Sequence, residues 1–263
     1  KGINVDSAEQ VLVEGGTHSA YMALHGLSSI SAKYKTVMIS DRDYNDYGPT
    51  TPAADRCSML NNDCLEVVDM MGGRGYNKVG VLNMANRTNP GGGVARGIAD
   101  QEEDIYRRTD AFRHTERWHR SAEVYPLNQE QPVALIVQDV TIIRGPCEKG
   151  YPYLTSRNNF TMISAEAQKK LDLDWINGIA YYKQTVEKHN MRQTIRVMLE
   201  AMVVSECDVV VVSAFGSGPF RHPPEEVALL FSEEIAAAGP DLPYIVFAIL
   251  DDHNTGLKHN TSG

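Results

Sequence analysis

The sequence predicts an α/β fold in which helices cover both faces of a mixed, mostly parallel sheet. Two observations predict it: short apolar runs rich in Val and Ile, typical of buried strands, and helically spaced segments that alternate with them. The chain has 263 residues, 42% of them hydrophobic, which is enough to bury the core of one large domain. Its apolar runs are strand-sized and much shorter than the roughly 18 residues of a membrane span.

Five strands and four helices are predicted from these patterns. The strands cover residues 78–84, 133–143, 160–164, 208–215 and 244–250. The helices cover residues 100–120, 174–189, 191–205 and 224–238. Residues 1–50 are less regular, so we expect an N-terminal extension there, packed on a domain formed by residues 51–263. Ligands of such sheets bind beyond the carboxyl ends of the strands, so the glycine-rich loops after Met84 and Ser213 are the expected site.

Net charge and cysteine usage argue against several classes of protein. The chain carries 25 basic and 34 acidic residues, a net charge of −9, which disfavours a dedicated nucleic-acid or membrane-surface binder. Its four cysteines are scattered and form no Cys-x-x-Cys pair, which disfavours a zinc site and favours free thiols. No apolar signal segment follows Lys1. We therefore expect a cytoplasmic or nuclear protein that binds neither membrane nor DNA directly, with a secreted effector as the open alternative.

The segment 83–104 carries the most informative motif, NMANRTNPGGGVARGIADQEED. Three consecutive glycines remove every side chain from a stretch of main chain, which suits a strained turn or the close approach of a ligand. After seven further residues, Gln101 precedes the adjacent carboxylates Glu102 and Glu103. Neighbours on a helix diverge by about 100°. One carboxylate can therefore face a reacting atom while the other orients the same sugar.

Simpler explanations exist for both parts of this motif. Asp100 and Glu103 match a capping box, in which Glu follows the cap residue by three positions. Glu103 and Arg107 are spaced for an ordinary helical ion pair, and three glycines fit a plain turn. Other glycine-loop motifs are not met: the sequence has no P-loop, Arg96 breaks a Gly-x-Gly-x-x-Gly pattern, and Ser217 lies outside any Gly-x-Ser-x-Gly elbow.

Three glycines, a spacer of seven and Gln-Glu-Glu resemble the signature of the poly(ADP-ribose) glycohydrolases of the microbial type, which have a macrodomain fold. VLNMANRTNPGGG resembles that family's strand and catalytic loop, and SAFGSGPFRHPPEEVALLF resembles its second loop and following helix. The resemblance covers about residues 57–250 and implies a three-layer α/β/α, macrodomain-like architecture. It implies ADP-ribose or poly(ADP-ribose) on modified proteins as the substrate. No cofactor is expected, and no metal either, because the eight histidines do not have the spacing of a metal site.

The resemblance also implies roles for individual residues. Glu103 would be the catalytic residue, and Glu102 would hydrogen-bond the ribose beside the scissile bond. Phe220 is expected to pack either on the ligand or in the core, and Asp63 either to contact adenine or to cap the following helix. The other residues expected to bind the ribose and diphosphate are Asn86, Gly91, Gly92, Gly93, Gln101, Gly216, Ser217, Gly218 and Pro219.

The expected reaction is glycosidic cleavage through an oxocarbenium-like transition state, with Glu103 acting first as acid and then as base. This requires a raised pKa for Glu103, for which burial, Glu102 and the bound diphosphate are the expected causes. Arg96, and the Ser-Ala-Phe-Gly-Ser start of the second loop, depart from the family pattern and leave substrate preference open. The alternatives are polymer cleavage, removal of single ADP-ribose units from protein, a non-catalytic reader, and an unrelated nucleotide-phosphate enzyme.

Overall fold

The computed structural model describes residues 56–119, 124–127, 132–169 and 171–250, together with the backbone of three strands before them. The strands are β1 Gln10–Leu12, β2 Ala20–Ala23, β3 Thr36–Ser40, β4 Cys57–Leu60, β5 Val79–Met84, β6 Val133–Thr141, β7 Asn159–Ala165, β8 Leu173–Ile176, β9 Ile179–Tyr182, β10 Val209–Val212 and β11 Tyr244–Ala248. The helices are α1 Cys64–Gly73, α2 Gln101–Arg108, α3 Ala111–Thr115, α4 Thr185–Val204 and α5 Pro224–Ala237.

The described strands form a nine-stranded mixed sheet in the order β1-β2-β3-β6-β7-β5-β10-β11-β4, while β8 and β9 form a separate hairpin. The five strands from β7 to β4 run parallel, and β6 joins β7 in antiparallel pairing. β1, β2 and β3 extend the antiparallel side. The rest of the predicted extension over residues 1–50 lies outside the described residues, so the division at residue 50 stays a prediction.

Alternating side chains of the central strands pack into two separate cores, one on each face of the sheet. In β10, Val210 and Val212 contact the core beneath α4 and α5, whereas Val209 and Val211 contact the core beneath α1 and α2. All four valines are fully buried, and each such burial contributes about 1.5–3 kcal/mol. Helices on both faces of a mixed sheet confirm the predicted α/β fold class. Among the described helices, none is long and apolar enough to cross a membrane.

The predicted helix over residues 174–189 is wrong, because its first half is the β8–β9 hairpin. Asn177 and Gly178 form the two-residue turn, with φ of +52° and +82°, and Ile176 pairs with Ile179 across it. An Asn-Gly pair favours this hairpin turn because both residues tolerate positive φ. The turn therefore overrides the helical spacing of apolar residues, and α4 then runs without a break through the second half and most of the next predicted helix.

The predicted helix over residues 100–120 is interrupted at Thr109, which is extended and forms a bridge with Ile142. Beside it, the Asp110 main-chain N–H donates to Thr141 O, and Asp110 Oδ1 accepts from Thr141 N at 2.7 Å. Backbone pairing with the end of β6 thus ends α2 after two turns. Strand β4, at the edge of the sheet, is not among the predicted strands.

Candidate active site

Two loops meet at the carboxyl edge of the parallel strands. The first loop, residues 85–100, follows β5, and the second loop, residues 213–223, follows β10. β5 and β10 are parallel neighbours, so both loops lie at the same edge of the sheet. Helix α2 begins directly after the first loop and carries the Gln-Glu-Glu motif. The structure therefore brings the two sequence motifs together.

Gln101 fixes the start of α2 against strand β5. The β5–β10 ladder ends at the pair Val81 and Val211. Beyond it, Gln101 Oε1 accepts from Met84 N at 2.9 Å and Gln101 Nε2 donates to Leu82 O at 2.6 Å. The side-chain amide thus takes the place of a strand partner. Its substrate contact stays a prediction, whereas its observed contacts position the helix that carries the two carboxylates.

The main chain of the three-glycine segment donates hydrogen bonds to both glutamates. Gly91 N donates to Glu102 Oε1 at 3.0 Å, and Gly93 N donates to Glu103 Oε1 at 2.7 Å. Gly92, at φ +52°, lies so close that a Cβ there would overlap Glu103 Oε1 and lie 2.9 Å from Glu102 Oε2. The two buried carboxylates therefore require the absence of a side chain at Gly92, whereas a Cβ at Gly91 or Gly93 would overlap Tyr106 or Ile98. The spacing between the motifs has a structural cause.

The capping-box explanation is not what the structure shows. Asp100 is the N-cap residue of α2, but its side chain makes no cap hydrogen bond. The Glu103 carboxylate accepts instead from Gly93 N in the first loop. Arg107, the predicted ion-pair partner, donates to the carbonyl groups of Val94 and Ile98. Glu103 is thus directed at the glycine loop.

The two glutamates differ in how far the protein occupies their oxygens. Glu102 Oε2 accepts from Asn86 N at 2.7 Å, and Glu102 Oε1 accepts from Gly91 N and, at 3.4 Å, from Asn83 Nδ2. Glu103 Oε1 accepts from Gly93 N, but across the described ranges Glu103 Oε2 accepts no hydrogen bond from the protein. Both side chains are buried, at 3% and 5% exposure. Glu103 therefore keeps one oxygen for another partner.

Asn83 is a residue of this site that the sequence analysis missed. It is fully buried at the end of β5 and donates through Nδ2 to Ser164 Oγ of β7 at 3.0 Å as well as to Glu102. Both polar residues interrupt apolar strands, and a buried polar group needs partners. The sequence signal that could have identified Asn83 is an Asn one residue before the end of a Val- and Leu-rich strand.

Burial raises the pKa of Glu102 from 4.5 to about 7. Loss of hydration is the largest cause, and the charge of Glu103 adds to it. The N–H groups of Asn86 and Gly91 and the amide of Asn83 favour the charged form and limit the rise. Near neutral pH, Glu102 therefore changes between the neutral and charged forms beside Glu103.

This raised pKa predicts a pH-dependent contribution to stability. Between pH 4.5 and about 7 the folded state holds the Glu102 proton more tightly than the unfolded state, so stability decreases as pH rises. A difference of this size corresponds to about 3 kcal/mol. Across this range the free energy of unfolding of the wild type should fall by about that amount relative to Glu102→Gln, measured by urea denaturation. The exposed Glu206 provides a control, since Glu206→Gln should keep the wild-type slope. Parallel curves for wild type and Glu102→Gln would contradict this assignment.

The second loop folds on itself and leaves several main-chain donors without a protein partner. Its internal bonds run from Ser217 N to Ala214 O and from Arg221 N to Gly218 O. Within the part of the chain that the structure describes, the N–H groups of Gly216, Gly218 and Phe220 donate to no protein acceptor. Helix α5 begins at Pro224, directly after this loop. Free N–H groups next to a helix N-terminus form a suitable environment for an anion.

His222 is a second site residue that the sequence analysis missed. It is fully buried, and its Nε2 lies 2.8 Å from Gln168 O, so this nitrogen must donate. His222 Nδ1 then accepts from the Tyr182 hydroxyl at 2.7 Å. Burial lowers the pKa of His222 to about 4, which keeps the ring neutral. The imidazole thereby joins the second loop to β9 and to the segment after β7.

The other predicted site residues make different kinds of contact with the protein. Asn86 is half-buried and its Oδ1 accepts from the main chain and hydroxyl of Thr88, in a turn that shapes the first loop. Asp63 caps α1 by accepting from Leu65 N and Glu66 N. It also accepts from buried Arg108 at 2.8 Å. Of the two roles expected for Asp63, its contacts in the protein fit the helix cap.

Phe220 is partly buried: it contacts the core on one side, and Lys169 Nζ lies 4.5 Å from its ring centroid. Pro219 is exposed beside it, and Ser217 is buried. Among the described residues, no group of three or more His, Cys, Asp or Glu side chains could hold a metal ion.

Solved structures of two bacterial enzymes share this fold. Poly(ADP-ribose) glycohydrolase (PARG) from Thermomonospora curvata aligns with a TM-score of 0.59 at 18% identity, covering 81% of this chain and 79% of that one. The same enzyme bound to the inhibitor ADP-HPD gives 0.60 at 18% identity, covering 82% and 80%. The Deinococcus radiodurans enzyme in complex with ADP-ribose gives 0.56 at 21% identity, covering 76% and 80%. None of the curated proteins matches the chain by sequence.

A family model matches 128 of the 263 residues, just under half of the chain. Residues 16–143 match the catalytic domain of microbial-type PARG, and this range contains the glycine loop and both glutamates. The match begins upstream of residue 57, where the resemblance in the sequence was first evident. In this range and in its fold, the chain is therefore similar to the microbial-type poly(ADP-ribose) glycohydrolase family.

Proposed function

We propose that this protein hydrolyses the ribosyl glycosidic bond of ADP-ribose modifications and releases ADP-ribose, with Glu103 as the acid and base. One observation carries the proposal: a buried carboxylate is fixed through one oxygen by Gly93 N, while its other oxygen accepts nothing from the described protein. That oxygen is available to a leaving group. The family match and the ADP-ribose complex of the Deinococcus radiodurans enzyme support this substrate.

The reaction requires Glu103 to donate one proton and then to accept another. The Glu103 carboxyl gives its proton to the leaving oxygen as the bond between that oxygen and the ribose C1 breaks, which generates an oxocarbenium-like centre. Water then attacks C1, and the Glu103 carboxylate takes its proton, which restores the starting carboxyl group. The scheme uses no metal ion or cofactor.

Glu102 maintains the geometry around this group. Its oxygens hold the main chain at Asn86 and Gly91, and these contacts set the path of the first loop past Glu103. When Glu102 is neutral, it places no negative charge beside the reacting carboxyl group. A neutral Glu102 also has a proton to donate to a ribose hydroxyl.

The second loop provides the contact with the diphosphate. The main-chain N–H groups of Gly216, Gly218 and Phe220, which donate to no acceptor among the described residues, attract an anion together with the N-terminus of α5, without a formal positive charge. This suits a chain with a net charge of −9, which does not steer a polyanion over long distance. We also propose an intracellular, reducing location, with support from the free thiols of Cys64, Cys147 and Cys207.

The function is tested by following the release of ADP-ribose from ADP-ribosylated protein in the presence of EDTA. Turnover at the rate measured without EDTA is the expected result, because the scheme requires no metal. Binding of ADP-ribose without product release would identify a non-catalytic reader and contradict the proposal. Loss of turnover in EDTA, restored by a divalent cation, would contradict the metal-free mechanism.

A further inference from the structure

The main chain of the second loop is closed at Gly216 and His222. His222 N donates to Gly216 O at 3.0 Å. A Cβ added at Gly216 would lie 2.6 Å from Cδ2 of the His222 ring, so the fully buried imidazole packs directly against the Gly216 main chain. Gly216 has a φ of +73°, and its N–H group is one of the three in this loop that donate to no acceptor among the described residues. The imidazole therefore supports the main chain that is proposed to hold the diphosphate.

Both ring nitrogens of His222 bind to groups outside the second loop. Nε2 donates to Gln168 O at 2.8 Å, and Nδ1 accepts from the Tyr182 hydroxyl at 2.7 Å. One donor and one acceptor occur together only on a neutral imidazole, and burial lowers the pKa of His222 to about 4. Because both nitrogens are engaged, the ring has no hydrogen bond left for a ligand. Any effect of His222 on a ligand must therefore pass through the main chain at Gly216.

Tyr182 and Gln168, the two partners of the ring, are themselves fixed to helices. Tyr182 N donates to Glu226 Oε2 of α5 at 2.7 Å. Gln168 Oε1 accepts from Asn190 Nδ2 of α4 at 3.1 Å. Loss of either partner would leave a polar atom of the buried ring without a hydrogen bond, which is costly. The imidazole is thereby held between two helices, and the position of Gly216 follows from it.

Such support matters for a loop that binds a ligand through its main chain. A long cationic side chain can follow an anion, whereas a main-chain N–H group keeps its direction only if the backbone is fixed. A loop that is ordered before the ligand arrives also loses less conformational freedom on binding. The hydrogen bonds that position Glu102 and Glu103 come instead from the first loop and from β5. The effect of His222 should therefore fall on substrate affinity and not on the chemical step.

We propose that His222 is a positioning residue for substrate binding. Through Tyr182 and Gln168 it holds Gly216, and with it the N–H groups of the second loop, in the direction that a diphosphate requires. The inference rests on the proposed function, in which this loop contacts the diphosphate, and adds to it the group that prepares the loop. The Tyr182 hydroxyl is the contact that tests it, since Tyr182 belongs to β9 and not to the loop itself.

Tyr182→Phe removes the hydroxyl that donates to His222 Nδ1 and leaves the rest of the ring in place. KM for the release of ADP-ribose from ADP-ribosylated protein should rise about tenfold, because an unpaired buried nitrogen frees the imidazole to move. The value of kcat should change less than about twofold, since the contacts of Glu103 are unaltered. Isothermal titration calorimetry with ADP-ribose should show the same loss of affinity, about tenfold in Kd.

Tyr181→Phe is the matched control. Tyr181 is the preceding residue of β9, so its side chain points to the opposite face of the hairpin from Tyr182. The same hydroxyl is removed from the same strand, and both KM and Kd should keep their wild-type values. Thermal melts of the two variants define an assay temperature at which each is fully folded. Loss of folded protein would lower the apparent kcat and leave KM unchanged, so it cannot be mistaken for weaker binding.

A variant of His222 shows whether the hydroxyl acts through the imidazole. In His222→Gln the amide reaches the position of Nε2 and can still donate to Gln168 O, but it offers Tyr182 no acceptor at the position of Nδ1. In this background Tyr182→Phe should raise KM less than about twofold, because the partner of the hydroxyl is already absent. An effect of about tenfold in both backgrounds would mean that Tyr182 acts without His222, which would overturn the inference.

The outcomes separate the inference from the proposed function. Wild-type values of KM and Kd in Tyr182→Phe, beside full activity, would overturn the inference and leave the function intact. A fall in kcat at unchanged KM would also overturn it, because the ring would then support folding or the chemical step. A wild type that binds ADP-ribose without releasing it would contradict the proposed function, whereas weaker binding by Tyr182→Phe would still support the role of His222.

Discussion

Glu103→Gln is expected to lower kcat for the release of ADP-ribose about a thousandfold. Gln retains an oxygen that can accept from Gly93 N, so the first loop should keep its path. The amide has no acidic proton to give to the leaving oxygen and cannot take one from water. Acid–base assistance by a single side chain typically accounts for a factor of about 10²–10⁴. The measurement is single-turnover release of ADP-ribose from ADP-ribosylated protein.

Two comparisons make this result specific. The affinity of Glu103→Gln for ADP-ribose should stay within a few-fold of wild type, which separates loss of chemistry from loss of the site. Glu102→Gln should also be impaired, because one of its two oxygens would be replaced by a donor facing the N–H of Asn86 or Gly91. A Glu103→Gln variant with more than a tenth of wild-type kcat, beside an inactive Glu102→Gln, would transfer the acid role to Glu102.

The sequence predicts the carboxyl edge of the sheet well because local signals and tertiary structure agree there. β5 and β10 are buried on both faces, so each reads as an apolar run, interrupted in β5 only by Asn83, and each is followed by a glycine-rich loop. The motif of three glycines and two glutamates is also local, since both parts lie within thirteen residues. Their mutual contact could be expected from the spacing, but the particular hydrogen bonds depend on how α2 docks on β5 through Gln101.

The sequence predicts less well where a distant partner determines the local structure. Thr109 breaks a helical pattern because it pairs with Ile142, 33 positions along the chain. His222 becomes a link between elements only because Tyr182 and Gln168, 40 and 54 positions away in sequence, fold against it. The Asn177-Gly178 turn was recognisable locally, but the apolar residues around it also have helical spacing, and the turn signal is the stronger one.

Gly92→Ala is expected to lower kcat/KM at least a hundredfold. At φ +52° an added methyl group would strain the backbone and would also overlap Glu103 Oε1 and crowd Glu102 Oε2. The loop can relieve this contact only by moving away from the two carboxylates, which breaks the bonds from Gly91 N and Gly93 N that orient them. A displacement of about 1 Å in a catalytic group can reduce the rate about a hundredfold.

Gly97→Ala separates contact from backbone strain. Gly97 also has a positive φ, +78°, and ends the turn that follows the glycines, but a Cβ there would meet nothing within 4 Å. In both variants, forcing alanine into the left-handed region should lower the free energy of unfolding by about 1 kcal/mol. In Gly97→Ala, however, kcat/KM should stay within a few-fold of wild type. Equal losses of activity in the two variants would mean that loop strain alone explains the effect. A fully active Gly92→Ala protein would mean that the carboxylates do not depend on the close approach of the main chain, and the assignment of Glu103 would lose its structural basis.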